Sequence, residues 1–215
     1  MPNPDELINK IKSLQKSALK ETINARLKEF ESFKDKSNDE WFSELCFCIL
    51  TANSRAQTAI KIQQQLGSKG LLEYNETNIV NCIITNKHRF PNMKAKFIIE
   101  ARKYKDTKSI VNKIIAEKNE NEARKWLVAN VKGIGYKESS HFLRNVGYKN
   151  LAILDRHILN LMHEHSIIPE RPKTLNKKLY MEIEQKFKEL AAQLNMNLAE
   201  LDLYMWYMKT GEVLK

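Results

Sequence analysis

Apolar residues recur along this chain at intervals of three and four, the period of an amphipathic helix. Leu7, Ile11, Leu14 and Ala18 share one face, and Leu19, Ile23, Leu27 and Phe30 continue the spacing on a shifted stripe. The slip between the two sets predicts a bend or two separate helices over residues 4–33. Ser37, Asn38 and Asp39 offer N-caps to a helix starting near Glu40 that carries Trp41, Leu45, Cys48 and Ile49. It ends in Thr51-Ala52-Asn53-Ser54-Arg55, a polar break without glycine. A helix from about Ala56 to Leu66 precedes a turn bracketed by Gly67 and Gly70. A helix near Glu76 to Thr85 leads to Pro91, which marks a loop or a helix start. Residues 95–104 and 109–117 also read as helix.

The stretch from Val131 to Asp155 has a different grammar. Ala123, Trp126, Leu127 and Asn130 place a helix before it. Gly133 and Gly135 then flank Ile134, and alternate glycines break a helix and permit a tight turn. A second helix is expected over Tyr136 to Asn145, with Gly147 as a left-handed stop. A hairpin whose backbone N–H groups open a helix N-terminus is a seat for a phosphate. Beyond it, Asp155 precedes the run Ile158, Leu159, Met162 and reads as an N-cap. Helices follow over about Thr174 to Leu194 and Leu198 to Lys209, with Gly211 ending the last. Strand alternation is nowhere convincing, so the expected class is all-α.

Composition narrows the function. The chain has 215 residues, 42% of them apolar, enough for one large domain or two small lobes. Lys and Arg outnumber Asp and Glu, 36 to 26, for a formal net charge of +10, which suits a polyanionic partner. Cys46, Cys48 and Cys82 form no paired framework, and Cys46 and Cys48, in an apolar segment, read as core thiols of a reducing compartment. No Cys/His set has metal spacing, and His163 and His165, two apart, face different ways on a helix, so no metal site from side chains is expected. Neither a signal peptide nor a membrane span is expected, because the first turn is charged and the most apolar run, Leu45 to Leu50, is short.

Two side chains can carry chemistry. Lys137 falls in the first turn of the post-hairpin helix, where the helix dipole disfavours an ammonium and favours the neutral, nucleophilic amine. A neutral lysine amine forms a Schiff base with a sugar aldehyde carbon. Asp155 follows by 18 residues, a distance that one helix and a short return can span, and its carboxylate could stabilise a developing oxocarbenium ion. Each also has a plainer role, Lys137 as a phosphate contact and Asp155 as an N-cap.

The hairpin V-K-G-I-G-Y-K, followed by the Asp of I-L-D-R-H-I, resembles the helix–hairpin–helix Gly/Pro…Asp superfamily of DNA glycosylases. C-I-L-T-A-N-S-R-A-Q-T-A resembles its segment with an intercalating Gln or Asn, and F-P-N-M-K-A-K-F-I its aromatic-x-Asn-x-Lys-Ala segment. The absence of cysteines after Cys82, and a tail reading L-D-L-Y-M-W-Y-M-K-T-G-E-V-L-K, resemble the type 2, mostly archaeal, 8-oxoguanine DNA glycosylase/lyases.

The resemblance implies two helical lobes with a DNA-binding cleft between them. Residues 36–150 would form one lobe, and 1–35 with 151–215 the other. It implies excision of 8-oxoguanine through a Lys137 Schiff base followed by β-elimination, with Asp155 as the second catalytic residue. Gly133, Ile134 and Gly135 would hold a DNA phosphate, and a monovalent cation could bridge hairpin and phosphate. Asn53 would fill the gap left by the flipped base. Lys215, Trp206 and Met93 would contact the base. No cofactor is required and no iron–sulfur cluster is expected. The expected partner is double-stranded DNA carrying a damaged base, met by a monomer in a prokaryotic cytoplasm, at the nucleoid. Two other readings stay open from sequence: a glycosylase/lyase for another lesion, and a non-catalytic DNA-binding helix–hairpin–helix protein.

Overall fold

The computed structural model describes residues 3–215, and every element in it is helical. Two compact units emerge. One runs Ser32–Val146; the other joins the chain through Glu31 to Gly147–Lys215.

The continuous unit opens with a 3₁₀ turn, Phe33–Asp35, and α3 (Asn38–Thr51), counting α1 (Pro4–Leu14) and α2 (Leu19–Ser32) first. Ser37 caps α3 in a reciprocal box with Glu40. Every residue of α3 from Trp41 to Thr51 is buried, so this helix is the axis of the unit. Around it stand α4 (Ala56–Glu73), α5 (Glu76–Thr85), α6 (Pro91–Ala101), α7 (Thr107–Glu117), α8 (Glu120–Asn130) and α9 (Tyr136–Asn145). The turn expected at Gly67–Gly70 is instead a kink within α4, where Gly67 takes φ +60° and helical backbone resumes to Glu73. Pro91 occupies the first turn of α6, where its missing N–H costs nothing.

Packing fixes α9 against α3. Trp41 meets Phe142 edge to face at 6.0 Å, and Phe47 meets His141 at 5.5 Å. Beneath them lies a buried polar chain: Arg144 donates to Asn145 Oδ1, Asn145 donates to Glu44 Oε1 at 2.6 Å, and Gln63 donates to Glu44 Oε2 at 3.2 Å. Arg144, Asn145, Glu44 and Gln63 thus partner one another, which avoids the cost of an orphaned charge.

The other unit contains α1, α2, α10 (Arg156–Glu164), α11 (Lys177–Gln193) and α12 (Leu198–Thr210). The shifted apolar stripe of the first 33 residues resolves into two helices, α1 and α2, rather than a bend. Helix α11 begins at Lys177, capped by Asn176. Gly211 ends α12 with φ +73°, the left-handed stop expected of it. No helix among the described residues is long and apolar enough to cross a membrane.

Candidate active site

The hairpin forms because α8 stops at Asn130 and the chain turns through Gly133. Gly133 has φ +87°, and a Cβ there would lie 2.9 Å from Phe97 Cε2 and closer still to Cδ2. Both the backbone angle and the approach of α6 therefore demand glycine. Gly135 differs: its φ is −111°, and a Cβ would meet nothing nearer than Glu138 Oε2 at 3.5 Å. Only one of the two glycines uses positive φ. Arg124 of α8 ties the two flanking helices together. It donates to Ser140 Oγ at 3.1 Å and to Asn121 Oδ1 at 2.8 Å, and lies over the Tyr136 ring at 5.4 Å.

Lys137 occupies the first turn of α9, as its sequence position predicts. Its Nζ is 2.9 Å from Oε1 of Glu138, and the two side chains are 26% and 13% exposed. The other oxygen of Glu138 accepts the N–H of Gly135 at 3.1 Å. Burial works to raise the Glu138 carboxyl, but the Lys137 charge and hydrogen bond, with the Gly135 N–H, outweigh it and hold the group below its ordinary value. The sequence sets Lys137 against the helix dipole and partial burial and does not reveal this partner. A Glu at the third helical position was the available signal, because that is where a capping box places one. The Gly135 N–H, expected as a phosphate donor, is engaged by a carboxylate.

Lys94 was also missed. It is 2% exposed, and its Nζ donates to the carbonyls of Ile49 at 2.6 Å and Ala52 at 2.9 Å. Burial pushes its ammonium down to about 8, with Glu138 opposing the shift and Lys137 adding to it. His88 Nε2 lies 2.9 Å from the Leu50 carbonyl. Two side chains from the segment before and within α6 thus cap the last turn of α3. Asn53 follows at once, exposed, with φ +58°. Met93, in the first turn of α6, is 44% exposed, as is Phe90, which has φ +58°.

In the other unit, Asp155 caps α10, accepting the N–H of Ile158 at 2.8 Å. The buried run Leu151–Leu154 that leads to it is pinned by α11. Tyr180 donates to the Ala152 carbonyl at 2.7 Å, and Glu184 accepts the Ala152 N–H at 2.9 Å. Trp206 packs edge-on to His157 at 4.9 Å, and its buried Nε1 has no hydrogen-bond acceptor among the described residues. The tail after Gly211 carries Lys215, and Arg26 of α2 reaches the Val213 carbonyl through a long hydrogen bond of 3.5 Å. Lys137, Asn53, Met93 and the hairpin belong to one unit, and Asp155, Trp206 and Lys215 to the other. Among the described residues no group of three or more His, Cys, Asp or Glu could hold a metal ion.

The 8-oxoguanine DNA glycosylase family, of helix–hairpin–helix type, matches residues 23–196. An 8-oxoguanine DNA glycosylase/AP lyase of Methanocaldococcus jannaschii is 49% identical over 97% of this chain and 99% of its own. A relative of the same name from Korarchaeum cryptofilum is 43% identical over 98% of this chain and 99% of its own. The Methanocaldococcus jannaschii enzyme, solved in complex with a 15mer DNA containing 8-oxoguanine, superposes with a TM-score of 0.94, covering 97% of this chain and 99% of that one. The 8-oxoguanine DNA glycosylase of Thermotoga maritima superposes at 0.92 with 35% identity, covering 99% and 100%. With most of its length matched by the family and nearly all of it shared with these relatives, the chain belongs to the 8-oxoguanine DNA glycosylase family.

Proposed function

We propose that this protein is a bifunctional base-excision-repair enzyme that removes 8-oxoguanine from duplex DNA and then cleaves the abasic strand. The observation that carries the reading is the position of Lys137. It stands in the first turn of α9, directly after the Gly133 hairpin, in a chain of this family.

The damaged nucleotide leaves the stack, because its sugar carbon is out of reach inside the duplex. The N–H groups of Gly133 and Ile134 take a backbone phosphate at the N-terminus of α9, where the helix dipole favours an anion. At Gly135 the phosphate meets an N–H already donated to Glu138, so it shares or displaces that bond. A monovalent cation could bridge hairpin and phosphate. Lys137 in its neutral form attacks C1′ as the bond to the base breaks and the base leaves with the electron pair. The attached amine gives up a proton, the C1′–O4′ bond of the sugar ring opens as O4′ gains one, and an iminium results. It acidifies the 2′ proton, and β-elimination then breaks the C3′–O bond and expels the 3′ phosphate. Asp155 offsets the positive charge that develops on the sugar.

Selection of the base is a hydrogen-bonding problem. 8-Oxoguanine carries a donor at N7 where guanine has a lone pair. An acceptor fixed opposite N7 pairs with the lesion and repels normal guanine, and one unpaired buried group costs about 1–3 kcal/mol. The Lys215 terminus shapes that contact, and Trp206 and Met93 stack on the base. Asn53 fills the gap in the duplex. The enzyme works as a monomer on chromosomal DNA.

An excision profile tests the function. Duplexes carrying 8-oxoguanine, an oxidised pyrimidine or no lesion are offered opposite each normal base, and released base is measured. Release of 8-oxoguanine well above the other two supports the proposal. Preferential release of the oxidised pyrimidine would replace it with a different lesion, and no release from any duplex would leave a non-catalytic binding protein.

A further inference from the structure

Lys137 and Glu138 are neighbours in sequence, and neighbours on a helix do not face each other. Their 2.9 Å ion pair exists because Glu138 folds back over the helix start, where its second oxygen takes the Gly135 N–H at 3.1 Å. Only 13% of the Glu138 side chain is exposed, so little water competes for either contact. Within this unit Lys137 acts directly on the Glu138 carboxylate, and from α6 the buried Lys94 feels both charges. The carboxylate thus pairs with Lys137 and is fastened to the hairpin as well.

We propose that Glu138 is a positioning residue for the reaction: one carboxylate oxygen orients the Lys137 amine, while the other clasps the hairpin that receives the phosphate. The proposal rests on Lys137 being the nucleophile. Its physical content is placement: the carboxylate holds the Lys137 amine at the helix start, and a nucleophile held in one attacking position reacts faster than one free to swing. Because the same carboxylate holds the Gly135 N–H, a phosphate arriving at the hairpin disturbs the group that governs Lys137. DNA binding and nucleophile activation are thereby linked through one side chain.

The plainer account makes Glu138 a helix cap and nothing more. Glutamine closes a capping box as well as glutamate does. Glu138→Gln therefore keeps the cap, while its amide leaves a single acceptor oxygen for two partners. Single-turnover borohydride trapping on an abasic duplex is measured at saturating protein, beside duplex affinity and the urea unfolding midpoint. In Glu138→Gln trapping slows about tenfold while affinity and midpoint stay close to the parent. Glu138→Asp, too short to reach both partners, slows likewise. Parental trapping by Glu138→Gln overturns the proposal; should that variant fail to fold, parental trapping by Glu138→Asp overturns it. A wild-type protein that binds the duplex but never traps would instead overturn the reading of Lys137 as nucleophile, a separate failure.

Discussion

Nζ of Lys94 lies 2.6 Å from the carbonyl oxygen of Ile49, at the end of the helix that runs into Asn53. The last turn of α3 leaves its carbonyls without intrahelical donors, and Lys94 supplies charge-assisted bonds to two of them. The turn that presents Asn53 is therefore shaped by α6. Lys94 also makes stability depend on pH. Its folded-state value, about 8, lies below the ordinary 10.5, so between these limits the unfolded chain binds more protons than the folded one. Stability then rises with pH across that window. Relative to Lys94→Met, the parent should gain up to about 3 kcal/mol between pH 8 and 10.5, as measured by urea unfolding at both ends. Parallel pH curves would show that the Lys94 charge is not strained by burial. The same variant should excise more slowly, because the Asn53 turn loses its anchor.

The two hairpin glycines should respond differently to alanine. Gly133→Ala forces a side chain into φ +87° and into the Phe97 ring, so destabilisation of about 1–3 kcal/mol and weaker duplex binding are expected. Gly135→Ala places a methyl group at an ordinary contact distance, with φ already negative. Its unfolding midpoint should stay close to the parent. Equal losses in both variants would contradict this reading of the turn.

Asp155 combines a cap with a proposed electrostatic role, and two substitutions separate them. Asn caps a helix as well as Asp does, whereas Ala loses the bond to the Ile158 N–H at about 0.5–2 kcal/mol. Asp155→Asn should therefore unfold like the parent and Asp155→Ala earlier, while base release falls steeply in both. Near-parental single-turnover release by Asp155→Asn would remove the carboxylate from the mechanism.

Deleting Lys215 should narrow the gap between 8-oxoguanine and guanine. Loss of one discriminating contact corresponds to about 10- to 200-fold in relative excision. Duplex affinity at a non-cleavable site should change far less, because phosphates dominate it. An unchanged excision ratio would move base recognition away from the tail.

Much of the fold was legible because helical periodicity and punctuation agree in this chain. The bounds Glu76–Thr85 of α5 and Tyr136–Asn145 of α9 coincide with those read from sequence. Asp155 as an N-cap was also legible, since a capping residue acts over three positions. Gly67 misled, because a single left-handed residue can kink a helix without ending it. What stayed hidden is tertiary. Lys94 is one lysine among many until α6 is laid against α3, and Tyr180 and Glu184 gain meaning only where α11 meets the Ala152 backbone. Glu138 was visible as a residue type, but its grip on Lys137 depends on how the side chain folds over the helix start.

The central claim is that Lys137 forms a covalent imine with the sugar of the damaged nucleotide. Borohydride trapping on a duplex with one 8-oxoguanine tests it most directly. The wild-type protein should yield a protein–DNA adduct stable to denaturation, and Lys137→Gln should yield none while still binding the duplex. An adduct of undiminished yield from Lys137→Gln, or none from the wild type, would contradict the account.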